Sequence, residues 1–223
     1  MRPHWDAKAD RWDGHLPRTE LFAELRETVL SAARPTRRDV AIDLGSGSGF
    51  LTIPFAGCVR RLYAVDHSEK MLSRLGDKLA DEGLRAYARL GDLRTFAPPE
   101  PVDIVVSNYA LHHLRHSAKL ELLRRCRTWM SPGGRIVVAD LMVPLTLRPG
   151  QSDALLRKVR SIAAKGVPGY WRIAKNAVRW ATGRGEYPAS LEFWIRALGE
   201  AGFEDVGGRR VGAESGVAWG TRR

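Results

Sequence analysis

The sequence predicts an α/β fold: a doubly wound, mostly parallel sheet of seven strands, closed at its end by an antiparallel hairpin. Three observations carry this. Short β-branched runs alternate with longer amphipathic stretches. Each run stops abruptly at Gly, Asp or Ser-Asn. Two further strand-like runs near the end are separated only by residues 212–216.

The elements follow in order. Leu21, Leu25, Thr28 and Val29 recur at helical spacing. Val40-Ala41-Ile42-Asp43-Leu44 reads as a buried strand stopping at Gly45, and Leu62-Tyr63-Ala64-Val65 as a second stopping at Asp66. Ser68 is a natural N-cap for a helix with Met71, Leu72, Leu75 and Leu79 on one side. Residues 85–90 give a third strand, and Val102–Val106, stopping at Ser107-Asn108, a fourth. Leu114, Ala118, Leu122 and Met130 mark a helix ended by Pro132 and Gly133, and Ile136–Ala139 form the fifth strand. Phe203–Val211 and Val217–Thr221 make the terminal hairpin.

The 223 residues are expected to form a single domain in four parts: an N-terminal helical lid (1–36), a core (37–143), a basic helical cap inserted after the fifth strand (144–188), and the final helix with the hairpin (189–223). Hydrophobic residues at 44% and charged residues at 27% exclude a disordered chain. The net charge of +11 favours anionic company, and residues 151–185 hold eight basic residues against the single acid Asp153. Those basic residues alternate with Tyr170, Trp171 and Trp180, a composition that suits a substrate cover, RNA phosphates or an anionic membrane surface. Cys58 and Cys126 form no CxxC pair, and Met1–Asp6 lacks the apolar run of a signal peptide. A reducing, cytoplasmic setting is expected.

The most informative segment is Asp43-Leu44-Gly45-Ser46-Gly47-Ser48-Gly49-Phe50. Glycines let the chain turn sharply out of a strand and let a ligand approach the backbone at the start of the next helix. A dinucleotide fingerprint would need a third Gly or Ala where Phe50 stands, which argues against a dehydrogenase. Asp43 suits a ligand carrying an amine and a positively charged sulfur. Asp66, at the tip of the second strand, can accept from both hydroxyls of a ribose, and Asp92, after the third, from an adenine amine. The three acids fall after successive strands, along one edge of the sheet.

At these residues the chain resembles the class I S-adenosylmethionine-dependent methyltransferases. The matching pieces are residues 43–49, Ala64–Ser68, Gly91–Leu93, Asp103–Asn108 and Leu122–Leu141, within a resemblance that spans about residues 38–141 and extends to the terminal hairpin and the N-terminal segment of Trp5 and Trp12. The similarity is greatest to the small-molecule branch that includes ubiquinone/menaquinone and natural-product enzymes, and it implies a Rossmann-like fold. It also implies that Gly45, Ser46, Gly47 and Gly49 wrap the methionine part and ribose of S-adenosylmethionine, and that Asp43 meets its ammonium. Asp66 would take the ribose, His67 and Met71 would flank the adenine, Asp92 and Leu93 would read its amine, and Asn108 would lie near the sulfonium. The product would be S-adenosylhomocysteine.

Transfer of an already activated methyl group chiefly requires the acceptor to be held in line and relieved of its proton. His113 and His112 are the candidate bases; capping the following helix or packing beside the cofactor is their other reading. Trp12, Tyr109, Trp171 and Trp194 are the candidates for lining the substrate space. Asn108-Tyr109-Ala110-Leu111 lacks the Pro-Pro-Tyr of adenine- or amide-modifying enzymes, and neither cysteine has the proline neighbour of cytosine C5 enzymes. Catechol-type enzymes hold a metal through clustered acids, and Asp140 is the one acid near the relevant strand edge, so no metal is expected. The expected function is methyl transfer to O, C or N of a small hydrophobic metabolite. RNA methylation through the basic cap, and a cofactor-binding protein of different chemistry, are the alternatives. The oligomeric state is left open.

Overall fold

The computed structural model describes residues 20–142 and 186–223. Among these the elements run α1 (Glu20–Ala33), β1 (Val40–Leu44), α2 (Thr52–Ala56), β2 (Arg61–Asp66), α3 (Glu69–Asp81), β3 (Tyr87–Leu90), β4 (Val102–Asn108), a 3₁₀ turn (Leu111–His113), α4 (His116–Trp129), β5 (Met130–Leu141), α5 (Leu191–Glu200), β6 (Glu204–Val211) and β7 (Ser215–Thr221).

The seven strands form one sheet in the order β3-β2-β1-β4-β5-β7-β6. Strands β1 to β5 pair in parallel, and β7 runs antiparallel between β5 and β6. The chain reverses its direction of travel across the sheet between β1 and β4. At such a switch point the loops leaving two neighbouring strands diverge to opposite faces and open a crevice.

The period-two alternation of the strands decides what each face buries. Val40, Ile42 and Leu44 of β1, with Val105, Ile136 and Val138, pack under Leu122 and Leu123 of α4 and Trp194 and Leu198 of α5. Ala41, Ile104, Val106, Val137 and Ala139 point the other way, against Leu25, Val29 and Ala33 of α1 and Phe55 of α2. On that same side Leu75 and Leu79 of α3 close over Ala64. Ser68 caps α3 as its sequence position implies, its Oγ accepting from the Met71 N–H at 3.2 Å, and Ser190 caps α5 in the same way through the Phe193 N–H.

Two expectations change. The part of the N-terminal lid within the described residues, α1, is a docked layer of the core rather than a cover, because Leu25, Val29 and Ala33 are fully buried against the sheet. Strand β5 begins at Met130, before the expected turn. Val102 lies opposite Met130 but Ile104 lies opposite Arg135, so residues 131–134 bulge out of the strand instead of preceding it. Strand β3, expected over residues 85–90, is exposed at all four residues and forms one edge of the sheet. Of the basic cap, residues 144–185 lie outside the described residues, as do Trp12 and Trp171. Among the described residues no helix is long and apolar enough to cross a membrane.

Candidate active site

A cavity of about 460 Å³ opens at the C-terminal ends of β1, β2 and β4. Asp43, Gly45, Ser46, Gly47, Asp66, His67, Met71, Asp92, Leu93, Asn108, Tyr109 and His113 all contribute to its wall. Gly49 stays out of the lining, and an added Cβ there would meet Leu75 Cδ1 at 2.7 Å.

The glycine loop is hooked to β2 by its backbone. The N–H groups of Gly45 and Ser46 both donate to the Val65 carbonyl, at 2.8 and 3.0 Å. Gly45 has φ +77°, and a Cβ there would stand 2.3 Å from the Ala110 Cβ, so only glycine lets this loop touch the one leaving β4. Asp66 then fixes the loop's shape. Its Oδ2 accepts from the Gly47 N–H and its Oδ1 from the Ser68 N–H, both at 2.9 Å. Backbone amides fix the orientation of this carboxylate and leave lone pairs for further donors.

Asp43 is buried beside it. Its Oδ2 accepts from the Thr52 hydroxyl at 2.7 Å. Burial pushes its carboxyl up to about 7 against the pull of the Thr52 hydrogen bond, and the charge of Asp66 adds to the rise. A carboxyl so placed gains most from a cationic partner.

Asp92 lies on the wall as expected, but Arg94 engages both of its oxygens and holds its carboxyl below the usual range. A ligand amine would therefore share Asp92 with Arg94. The loop carrying both is clamped from behind by Arg125 of α4, whose guanidinium donates to the carbonyls of Leu93, Arg94 and Phe96. Sequence reasoning missed Arg94 and Arg125: an exposed-looking arginine carries no periodic signal.

Across the crevice, Tyr109 sits at φ +48°, a left-handed conformation costly for a non-glycine residue. Its N–H donates to the Ala139 carbonyl, its hydroxyl is hydrogen-bonded to Ser215 Oγ, and its ring leans on Phe22 at 5.7 Å. Burial raises the phenol above its ordinary range. Tyr109 thus offers the cavity a ring face and keeps its hydroxyl tied.

The two histidines separate. His113 lines the cavity. His112 does not: it is buried, its Nδ1 2.6 Å from Asp140 Oδ1. A direct base role for His112 is therefore not what the geometry provides. Trp194 also departs from expectation. It is fully buried in the face of α5 that packs on the sheet, with Lys119 Nζ 5.9 Å from its ring, and it is core rather than pocket wall. No metal was expected here, yet a mixed set of possible ligands stands together: His112, His113 and Glu186 offer ligand atoms all within 4.8 Å of one another.

Three buried polar atoms on residues that line the cavity, Ser46 Oγ, His67 Nε2 and Asn108 Oδ1, have no hydrogen-bond partner among the described residues. Buried polar groups are nearly always satisfied, so three unpartnered ones on the residues of one crevice are unusual. These polar atoms and the two acids beside them suit a polar nucleoside bearing positive charge.

The fold is shared with solved S-adenosylmethionine-dependent methyltransferases, and the comparisons point the same way. Residues 41–134 match the family model of the methyltransferase domain. Among curated relatives, an uncharacterized methyltransferase of Geobacillus kaustophilus is 34% identical over 115 residues, which is 51% of this chain and 52% of that protein. The chain thus spans about half the length of the curated relatives it matches. Among solved structures, the N-methyltransferase NodS of Bradyrhizobium japonicum, in complex with S-adenosylhomocysteine, superimposes with a TM-score of 0.70 at 15% identity over 99% of this chain and 97% of that one. Magnesium protoporphyrin IX methyltransferase of Synechocystis, with bound S-adenosylhomocysteine, does so with a TM-score of 0.68 at 18% identity over 100% and 98%.

Proposed function

We propose that the protein binds S-adenosylmethionine in this cavity and transfers its methyl group to O, C or N of a small hydrophobic molecule, quinone-like or of natural-product type. The observation that carries the reading is the set of orphaned polar atoms, Ser46 Oγ, His67 Nε2 and Asn108 Oδ1, beside Asp43 and Asp66 at the switch point of the sheet. The cofactor supplies the activated methyl group; sulfur is left as a neutral thioether, and the acceptor gives up its proton where it has one.

The chain's own residues bind and orient. Asp66 holds the ribose hydroxyls, and Asp43 takes the ammonium, which relieves its buried carboxyl. His67 and Met71 flank the adenine, and Leu93 and Asp92 meet its amine. Asn108 stands at the sulfonium end, with His113 and the ring of Tyr109 facing the acceptor. The Synechocystis enzyme is named for magnesium protoporphyrin IX, in keeping with a small acceptor.

The test is calorimetric titration of the full chain with S-adenosylmethionine and S-adenosylhomocysteine. Native protein is expected to bind both, and Asp66→Ala to weaken binding about 100-fold, since two charge-assisted hydrogen bonds are lost. No binding by native protein, or equal binding by the variant, overturns the proposal. Labelled methyl transfer to RNA in place of small acceptors, steeply weakened by salt, would move the function to the reading suggested by the eight basic residues of 151–185.

A further inference from the structure

We propose that His112, His113 and Glu186 form a binding site for a divalent transition-metal ion at the acceptor end of the cavity, its open positions facing the acceptor. Each residue offers one ligand atom, and the three atoms lie within 4.8 Å of one another. Two imidazoles and one carboxylate are a donor set suited to zinc and its first-row neighbours, and three protein ligands leave room for an exogenous one. Bonds of about 2.0–2.2 Å require the atoms to draw closer than 4.8 Å. Glu186 is exposed and can supply that movement by side-chain rotation.

The surroundings are those of a supported ligand set. The buried Asp140 holds His112 at Nδ1, 2.6 Å away, which fixes the ring and leaves Nε2 as the nitrogen to offer a metal. A carboxylate behind a metal-binding histidine is the usual arrangement, because it sets the tautomer and raises the ring's basicity. The ring of His113 lies 4.0 Å from that of His112. The segment bearing Glu186 is stapled to the histidine turn. The Tyr187 N–H donates to the His112 carbonyl at 2.6 Å, and the fully buried Lys119 donates to the carbonyls of Tyr187 at 2.5 Å and Leu114 at 2.6 Å. The donors thus run from the interior to the surface along one side of the crevice, and His113 joins them to the cavity wall.

A metal here would take the acceptor's hydroxyl or amine as a ligand, lower its pKa and hold it in line. The acceptor's proton leaves to solvent. The new bond to the methyl carbon forms as the carbon–sulfur bond breaks, with no redox change at the metal. The histidines then act as ligands, in place of direct proton abstraction by His113. The use of the bound metal rests on the proposed methyl transfer; the metal site itself does not.

The experiment uses the full chain without an affinity tag, stripped with a chelator. Zinc is titrated in competition with a chromophoric chelator, and cobalt(II) is followed by its visible d–d absorption. One zinc per chain at micromolar affinity or tighter is expected, with a cobalt band of a nitrogen/oxygen site. Glu186→Gln, at an exposed position that keeps the fold, and Asp140→Asn are each expected to weaken zinc about tenfold or more. Absence of stoichiometric metal, or affinity unchanged in Glu186→Gln, overturns the inference. S-adenosylmethionine binding is measured separately on the same stripped protein. Its loss counts against the proposed function, while the metal titration still decides this site.

Discussion

The two sides of the crevice are built on different plans. On the cofactor side the hydrogen bonds that shape the site are short in sequence: Asp66 to Ser68 spans two residues, Asp43 to Thr52 nine, and Asp66 to Gly47 nineteen. On the acceptor side they span 28 residues for His112 to Asp140, 68 for Lys119 to Tyr187, and 106 for Tyr109 to Ser215. The first side is a property of strand ends and their own turns. The second exists because β7 inserts beside β5 and because the segment after residue 185 returns to the histidine turn. On the proposed function, the site for the fixed ligand is thus made locally, and the site for the variable one by the whole fold.

The sharpest way to break this contrast is at the seam. Gly45→Ala forces a Cβ to within 2.3 Å of the Ala110 Cβ at φ +77°, and so disturbs both sides at once. The sum of strained backbone and overpacking predicts a loss of about 3 kcal/mol in a denaturant titration, with cofactor binding abolished. Adding Ala110→Gly should recover the steric part and leave the conformational part.

A smaller effect isolates the cofactor side. The Asp43 carboxyl stands at about 7 against its ordinary 3.8, so the folded protein without ligand keeps a proton that the unfolded chain has released. The stability this group contributes is complete below its unfolded value and declines as pH rises to about 7. A bound ammonium pulls the carboxyl back down, so binding releases a proton below pH 7. Affinity for S-adenosylmethionine should rise by up to about tenfold per pH unit towards 7 and level off above it. Calorimetry in buffers of different ionisation heat would register the proton, and Asp43→Asn should bind more weakly with a flat profile.

The smallest effect belongs to the acceptor side alone. Tyr109→Phe loses only the hydrogen bond to Ser215, and should cost about 1 kcal/mol of stability with cofactor affinity unchanged within a factor of two. A large change in cofactor affinity would show the two sides to be coupled beyond Gly45.

The same contrast explains what the sequence discloses. Asp43, Asp66 and the glycines are legible because a strand, its stop and its carboxylate are contiguous, and Ser68 because an N-cap is a local device. His112 and His113 are neighbours on a three-residue turn, too short for any periodicity to tell which enters the crevice and which backs onto Asp140. Trp194 sits in an amphipathic helix whose whole apolar face is committed to the sheet, and helical spacing identifies that face without saying what it meets. Glu186 is a lone acid in sequence and becomes part of a constellation only through backbone contacts made by its neighbour Tyr187. The bulge in β5 is hidden for a different reason: Ser131-Pro132-Gly133-Gly134 spells a turn, and the sheet absorbs it because Gly133 and Gly134 are tied to the Arg222 backbone.

The stretch between Met142 and Glu186 leaves and rejoins the framework at fixed points. The Met142 N–H is bonded to the Glu214 carbonyl, and Tyr187 is gripped by His112 and by the interior ammonium of Lys119. Both attachments sit on the acceptor half, away from the glycine loop. The two moorings are splice points: on the proposed function, a chimera that exchanges residues 143–185 between them is expected to keep nucleoside binding and to change the acceptor it prefers.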